Sequence, residues 1–205
     1  MASFLTHLAV AKEYLRKNPD AVKDVQAFYD GSVISDLASD KDLTHSFFHR
    51  TEESNMLVRL REKINLDKFA SHDPIGNDLG LGIFLHLLTD KVYYEKMFTD
   101  EYLLSVDLKQ FQKEHGQTMS THESFIGEHF DVSFDMTSPQ VNEQIVANIG
   151  DRQASTALKP QERPMENTIF SQEELLRFID EVSSMDLQAI ISQIKNNSQE
   201  HEMSQ

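Results

Sequence analysis

From Leu79 to Met97 the chain reads LGLGIFLHLLTDKVYYEKM, and up to Asp90 it is apolar around the whole circumference of a helix. A segment of that kind has no face to turn to water, so it predicts a buried central helix with other elements packed around it. Two ionisable residues interrupt it. His86 and Asp90 are four residues apart and therefore share one helix face. A buried carboxylate without a partner is very costly, so Asp90 requires a cation, a helix cap or a hydrogen-bonding neighbour. The residues alone leave two readings open: a core histidine bonded to an aspartate, or two ligands of one metal ion.

The flanking sequence supplies the other elements. Phe4, Leu8, Ala11 and Leu15 recur at helical spacing between Ser3 and Lys17 and place His7 on their inward side. Asn18-Pro19-Asp20 predicts a stop, Ala21 to Tyr29 a short helix, and Asp30-Gly31 a turn. The Ser- and Asp-rich stretch from Gly31 to Asp42 reads as a loop that carries Asp36 inward. Leu43 to Lys63 is dense in helix formers and holds His45 and His49 one turn apart, with another helix boundary near Leu66. Residues 71–78 are punctuation, since Pro74 and Gly76 both oppose a helix interior.

Beyond the central segment, Thr99 to His115 predicts a helix, followed by a polar stretch to Thr121. Shorter helices are expected over His122 to Phe130 and Val141 to Ile149, then a long polar loop over 150–167. Ser171 and Glu174 form the sequence of a capping box, and Leu175, Phe178, Ile179, Val182 and Leu187 give the helix behind it an apolar face. No alternation long enough for a sheet occurs, and no Gly-rich phosphate loop. The expectation is an all-α, single-domain helical bundle around a buried central helix at about 79–97. The domain is expected to span residues 1–196, with a frayed polar tail over 197–205.

Composition narrows the chemistry. The 205 residues include no cysteine and nine histidines, so a bound metal must be held by nitrogen and oxygen ligands. A net charge of −15 repels phosphate backbones and anionic headgroups, which argues against nucleic acid and against stable membrane association. The amino-terminal stretch has no basic flank before its apolar residues, so neither a signal peptide nor a transmembrane span is expected. Together with the missing cysteines this predicts a cytoplasmic protein.

His7 on its inward face, Asp36 in its loop, and the pair His45 and His49 are each weak candidates alone. Asp36 is not distinguished from Asp40 or Asp42 by its surroundings. Their order is more telling. Phe4-Leu5-Thr6-His7 through Lys12, Gly31-Ser32 through Asp36, Thr44-His45, and Gly82-Ile-Phe-Leu-His86-Leu-Leu-Thr-Asp90-Lys91 resemble the zinc-dependent phospholipase C family. The likeness is to its short intracellular bacterial branch, related in fold to the P1-type nucleases. Phe170-Ser-Gln-Glu-Glu-Leu-Leu-Arg-Phe-Ile179 resembles the closing helix of that branch.

The resemblance implies that His7, Asp36, His45, His86 and Asp90 ligate divalent metal, zinc above all, as one or two ions. Asp36 would also serve as the catalytic carboxylate. The implied reaction is hydrolysis of a phosphodiester or phosphomonoester by metal-activated water, on a small phosphoester substrate. The chain departs from the secreted members of the family in having no tryptophan to act as an amino-terminal ligand. Their later His and Glu ligands have no clear match, although His115, His122, Glu123, Glu128 and His129 supply candidates.

Two other readings compete. His72-Asp73 supplies the adjacent dyad of a different class of metal phosphohydrolase, but Pro74 directly follows it, whereas a chelating dyad needs a firm helical base. The second is a non-catalytic helical metal-binding or scaffold protein that retains a phospholipase C-like fold.

Overall fold

The computed structural model describes residues 2–38, 55–61, 64–72, 75–156 and 168–203. His45, His49, Asp40 and Asp42 lie outside them, as do Asp73 of the loop dyad and the Pro74 that follows it. The described residues form α-helices and one short 3₁₀ turn, with no strand among them, so the chain is an all-α bundle. None of these helices is long and apolar enough to cross a membrane.

The fold is organised by the central apolar helix. We label the helices in chain order: α1 (Phe4–Lys17), α2 (Val25–Ile34), α3 (Met56–Arg61), α4 (Leu66–His72), α5 (Asp78–Lys96), α6 (Asp100–Ser105), α7 (Leu108–Phe130), α8 (Pro139–Thr156), α9 (Gln172–Ser183) and α10 (Leu187–Met203). Helix α5 is the element expected at about 79–97. Asn77 caps it, accepting the Gly80 N–H at 2.7 Å. Phe84, Leu85, Leu87, Tyr93 and Tyr94 are buried all round it, as its composition requires. Helices α1, α2, α3, α4 and α9 pack directly on α5.

Helix α2 packs most extensively on α5, and here the expected turn at Asp30-Gly31 is overturned. The helix runs straight through both residues to Ile34. The reason is a close crossing at two glycines. A Cβ on Gly31 would collide with the Leu79 carbonyl and lie 3.0 Å from the Gly82 Cα; a Cβ on Gly82 would meet the Phe28 carbonyl and the Gly31 Cα at 3.0 Å. Gly31 is therefore a contact surface rather than a turn.

The far half of the molecule is bound by an aromatic cluster. Phe170, just ahead of α9, meets Tyr93 edge-on at 5.9 Å between ring centroids, and Phe98 and Phe178 meet Tyr93 at 5.4 and 5.6 Å. The predicted capping box at Ser171 is present, with both reciprocal bonds made to Glu174.

Three further expectations are corrected. The helix expected over Thr99 to His115 is two helices, because Asp107 caps a new one by accepting the Gln110 N–H at 2.8 Å. That helix, α7, continues to Phe130 through the polar stretch read as a break. It can do so because Thr118, Met119 and His122 lie on one side and are buried, which outweighs the low helix propensity of Gly116, Thr118 and Thr121. The start of the loop expected over 150–167 is helical, since α8 extends to Thr156 through the helix formers Arg152, Gln153 and Ala154, and residues 157–167 lie outside the described residues. Helix α10 continues as far as Met203, into the stretch expected as a polar tail.

Candidate metal centre

Three elements meet where His7, Asp36, His86 and Asp90 come together. Helix α1 starts at Ser3, whose hydroxyl accepts the Thr6 N–H at 3.2 Å, and it delivers His7 from its first turns. The helix is held in place by two of its lysines. Lys12 donates to the Asp131 carbonyl at 2.6 Å, at the C-terminus of α7. Lys17 donates to the Asp180 carbonyl at 2.8 Å and to the Ser183 and Ser184 hydroxyls at 2.8 and 2.7 Å, at the C-terminus of α9. An ammonium at such a terminus satisfies carbonyls that the helix itself leaves open.

Helix α5 supplies His86 and Asp90 from one face, as their spacing demands. Asp36 follows the last turn of α2. That turn tightens, with the Asp36 N–H bonding to the Val33 carbonyl at 3.0 Å instead of to Ser32. The Ser32 carbonyl is thereby left for His86, whose Nδ1 lies 2.9 Å from it. A carbonyl only accepts, so Nδ1 carries the proton, and in the neutral ring Nε2 is the bare nitrogen.

The geometry around that nitrogen is compact. His86 Nε2 lies 3.9 Å from Asp90 Oδ2, and the His7 and His86 rings stack with centroids 3.9 Å apart. His7 Nε2 lies 3.5 Å from Asp90 Oδ1 and 3.9 Å from Asp36 Oδ2. Each of His7, His86 and Asp90 offers one ligand atom such that all three lie within 4.8 Å of one another. The four side chains are buried: His7 and His86 are 1% exposed, Asp36 3% and Asp90 0%. Among the described residues His7 Nδ1 has no hydrogen-bond partner, and Nε2 has only the two carboxylates near it.

A carboxylate at such a site needs help to stay charged. Burial opposes the charge of Asp90, but the positive amino terminus, His7 and His86 together outweigh it and hold the carboxyl well below the usual carboxylate range. The Ala2 backbone N–H adds a direct bond, donated to Asp90 Oδ1 at 2.9 Å. The charge of Asp90 acts outward too. Burial, and after it the neighbouring Asp90, push the Tyr93 hydroxyl well above its ordinary value.

Of the five residues expected as ligands, the structure brings four together. His45 lies outside the described residues. Asp36 stands at the edge, facing His7 but outside the tight group of three. The candidates for later ligands have other engagements. His115 bonds the Tyr93 hydroxyl at 3.0 Å and stacks on Phe111. His122 donates from Nε2 to the Phe170 carbonyl at 3.0 Å. Glu128 accepts from the Ser124 hydroxyl, and His129 packs on Phe125 and Phe130. Two backbone contributions escape a reading by residue type, the Ser32 carbonyl and the Ala2 N–H. The trace available for the first was the glycine beside it, Gly31, facing a second glycine in α5.

The chain matches no family model, no curated protein and no solved structure.

Proposed function

We propose that this protein is a metal-dependent hydrolase of a small phosphoester, with His7, His86 and Asp90 as the ligand core and Asp36 beside them. The observation that carries the reading is the convergence of three buried ligand atoms within 4.8 Å. The donor set fits a divalent cation of the zinc type. It combines imidazole nitrogens with carboxylate oxygens, and among the described residues the buried Nδ1 of His7 has no hydrogen-bond partner while its Nε2 faces carboxylates at 3.5 and 3.9 Å. A buried polar group left unbonded costs about 1–3 kcal/mol, a cost that coordination removes.

A cation held there would supply the positive charge that makes water a better acid and neutralises a phosphoryl oxygen. The chain does the rest. Ser32 holds His86 in the tautomer that keeps Nε2 bare. The positive amino terminus and the Ala2 N–H keep Asp90 ionised. Asp36, 3.9 Å from His7 at the rim of the group, is positioned to take a proton from an attacking water. With a net charge of −15, the protein draws an anionic substrate only where a cation inverts the local sign.

The second reading, a helical metal-binding protein without turnover, is favoured by the burial of all four side chains. The two separate in one experiment. Purified protein is loaded with zinc and assayed against phosphodiester and phosphomonoester substrates, alongside Asp36→Asn. Zinc binding with turnover that falls at least about 100-fold in Asp36→Asn supports hydrolysis, the loss expected for a general base. Zinc binding without turnover supports the second reading, and absence of zinc binding removes both.

A further inference from the structure

We propose that the Gly31–Gly82 crossing is the positioning device of the candidate metal centre. By letting α2 lie against α5 at backbone contact, it sets the Ser32 carbonyl on His86 Nδ1 and so decides which nitrogen of His86 is offered to a cation. The metal half of this statement rests on the function proposed above; the tautomer half does not.

Three observations lead to it. The crossing is reciprocal, each glycine meeting backbone atoms of the other helix, so neither contact can be relieved by turning a side chain aside. The residue after Gly31 is Ser32, and the residue four after Gly82 is His86, one turn along the same face of α5. The turn that ends α2 withholds the Asp36 N–H from Ser32 and gives it to Val33, so the Ser32 carbonyl accepts from the ring at 2.9 Å. The same turn sends the Asp36 carboxylate toward His7. One close contact between helices thus sets the orientation of two groups of the site.

Its energetic meaning lies in the alternative. Without the Ser32 carbonyl, a neutral imidazole places its proton on either nitrogen, and a ring protonated at Nε2 presents an N–H where a cation would bind. Outer partners of metal-binding histidines that fix this choice are worth about 10–100-fold in metal affinity. Gly116 and Gly150 provide the contrast. They too are helical, yet a Cβ on either would meet nothing within 4 Å.

The test is nitrogen NMR of the metal-free, full-length protein labelled in its histidine rings, followed by zinc titration. Wild type is expected to carry the His86 proton on Nδ1, with a coupling across the hydrogen bond to the Ser32 carbonyl. Gly82→Ala and Gly31→Ala are expected to lose that fixed tautomer and to bind zinc about 10–100-fold more weakly. Gly116→Ala is expected to leave both unchanged. A purely structural crossing would lower the melting temperature but not move the tautomer. A His86 proton on Nε2 in wild type, or folded alanine variants with an unchanged tautomer and unchanged zinc affinity, would overturn the proposal. If both alanine variants fail to fold, the wild-type tautomer and coupling decide. If wild type binds no zinc, the metal reading falls, and the positioning of His86 is decided by the tautomer alone.

Discussion

Asp90 shows how much structure one buried charge requires. It receives the Ala2 N–H and faces two histidines, and these contacts hold it ionised against the cost of burial. Asp90→Ala strands a buried donor, and we expect it to cost about 1–3 kcal/mol in the metal-free protein, measured by urea unfolding. Glu174 is the exposed counterpart. The Ser171 backbone N–H and hydroxyl hold its carboxyl below the ordinary value. A depressed carboxyl stabilises the fold above its unfolded value of about 4.3, and that contribution is lost as pH falls through the folded value. Ser171→Ala removes the cap and the hydroxyl's part of the shift, and leaves the backbone N–H bond to Glu174. It should cost about 0.5–2 kcal/mol at pH 7, with the gap to wild type narrowing below about pH 4 in equilibrium unfolding. Sequence sufficed for these residues because their neighbours lie three or four positions away. The pairing of His86 with Asp90 and the reciprocal bonds of Ser171 and Glu174 are both of this kind. The contact between His7 and Asp90 is not local. It became legible only as an order of motifs along the chain.

Among elements, the central helix and the capped α9 were legible because burial and capping chemistry leave strong marks in a single segment. Helix α2 was misread for a physical reason. Gly31 signals a turn when judged alone, and only its partner Gly82, in another helix, shows it to be a contact. The extent of α7 was missed similarly, since packing by Thr118, Met119 and His122 overrides weak propensity. Gly116, in that helix and open to solvent, has no such excuse. Gly116→Ala should raise stability by about 0.5–1 kcal/mol, read as a higher unfolding midpoint in urea. Lys17→Met should do the reverse. It leaves the C-terminus of α9 without the ammonium that meets four oxygens there, and a loss of about 1 kcal/mol is expected.

For the molecule as a whole, fold class followed from one apolar segment and the absence of strand-like alternation. The site required tertiary structure, because its members come from α1, the end of α2 and α5. The bundle places an imidazole from α1 against an imidazole and a carboxylate from α5, and clamps α1 there through Lys12 and Lys17. We propose this arrangement as a metal site and not a hydrogen-bonded core. Calorimetric zinc titration of the metal-free protein, beside His7→Ala and His86→Ala, tests it most directly. Saturable binding of at least one zinc per chain is expected, lost in both folded variants, with a melting temperature that rises as zinc is added to wild type alone. Wild type that takes up no zinc, or variants that bind it as tightly as wild type, would contradict it.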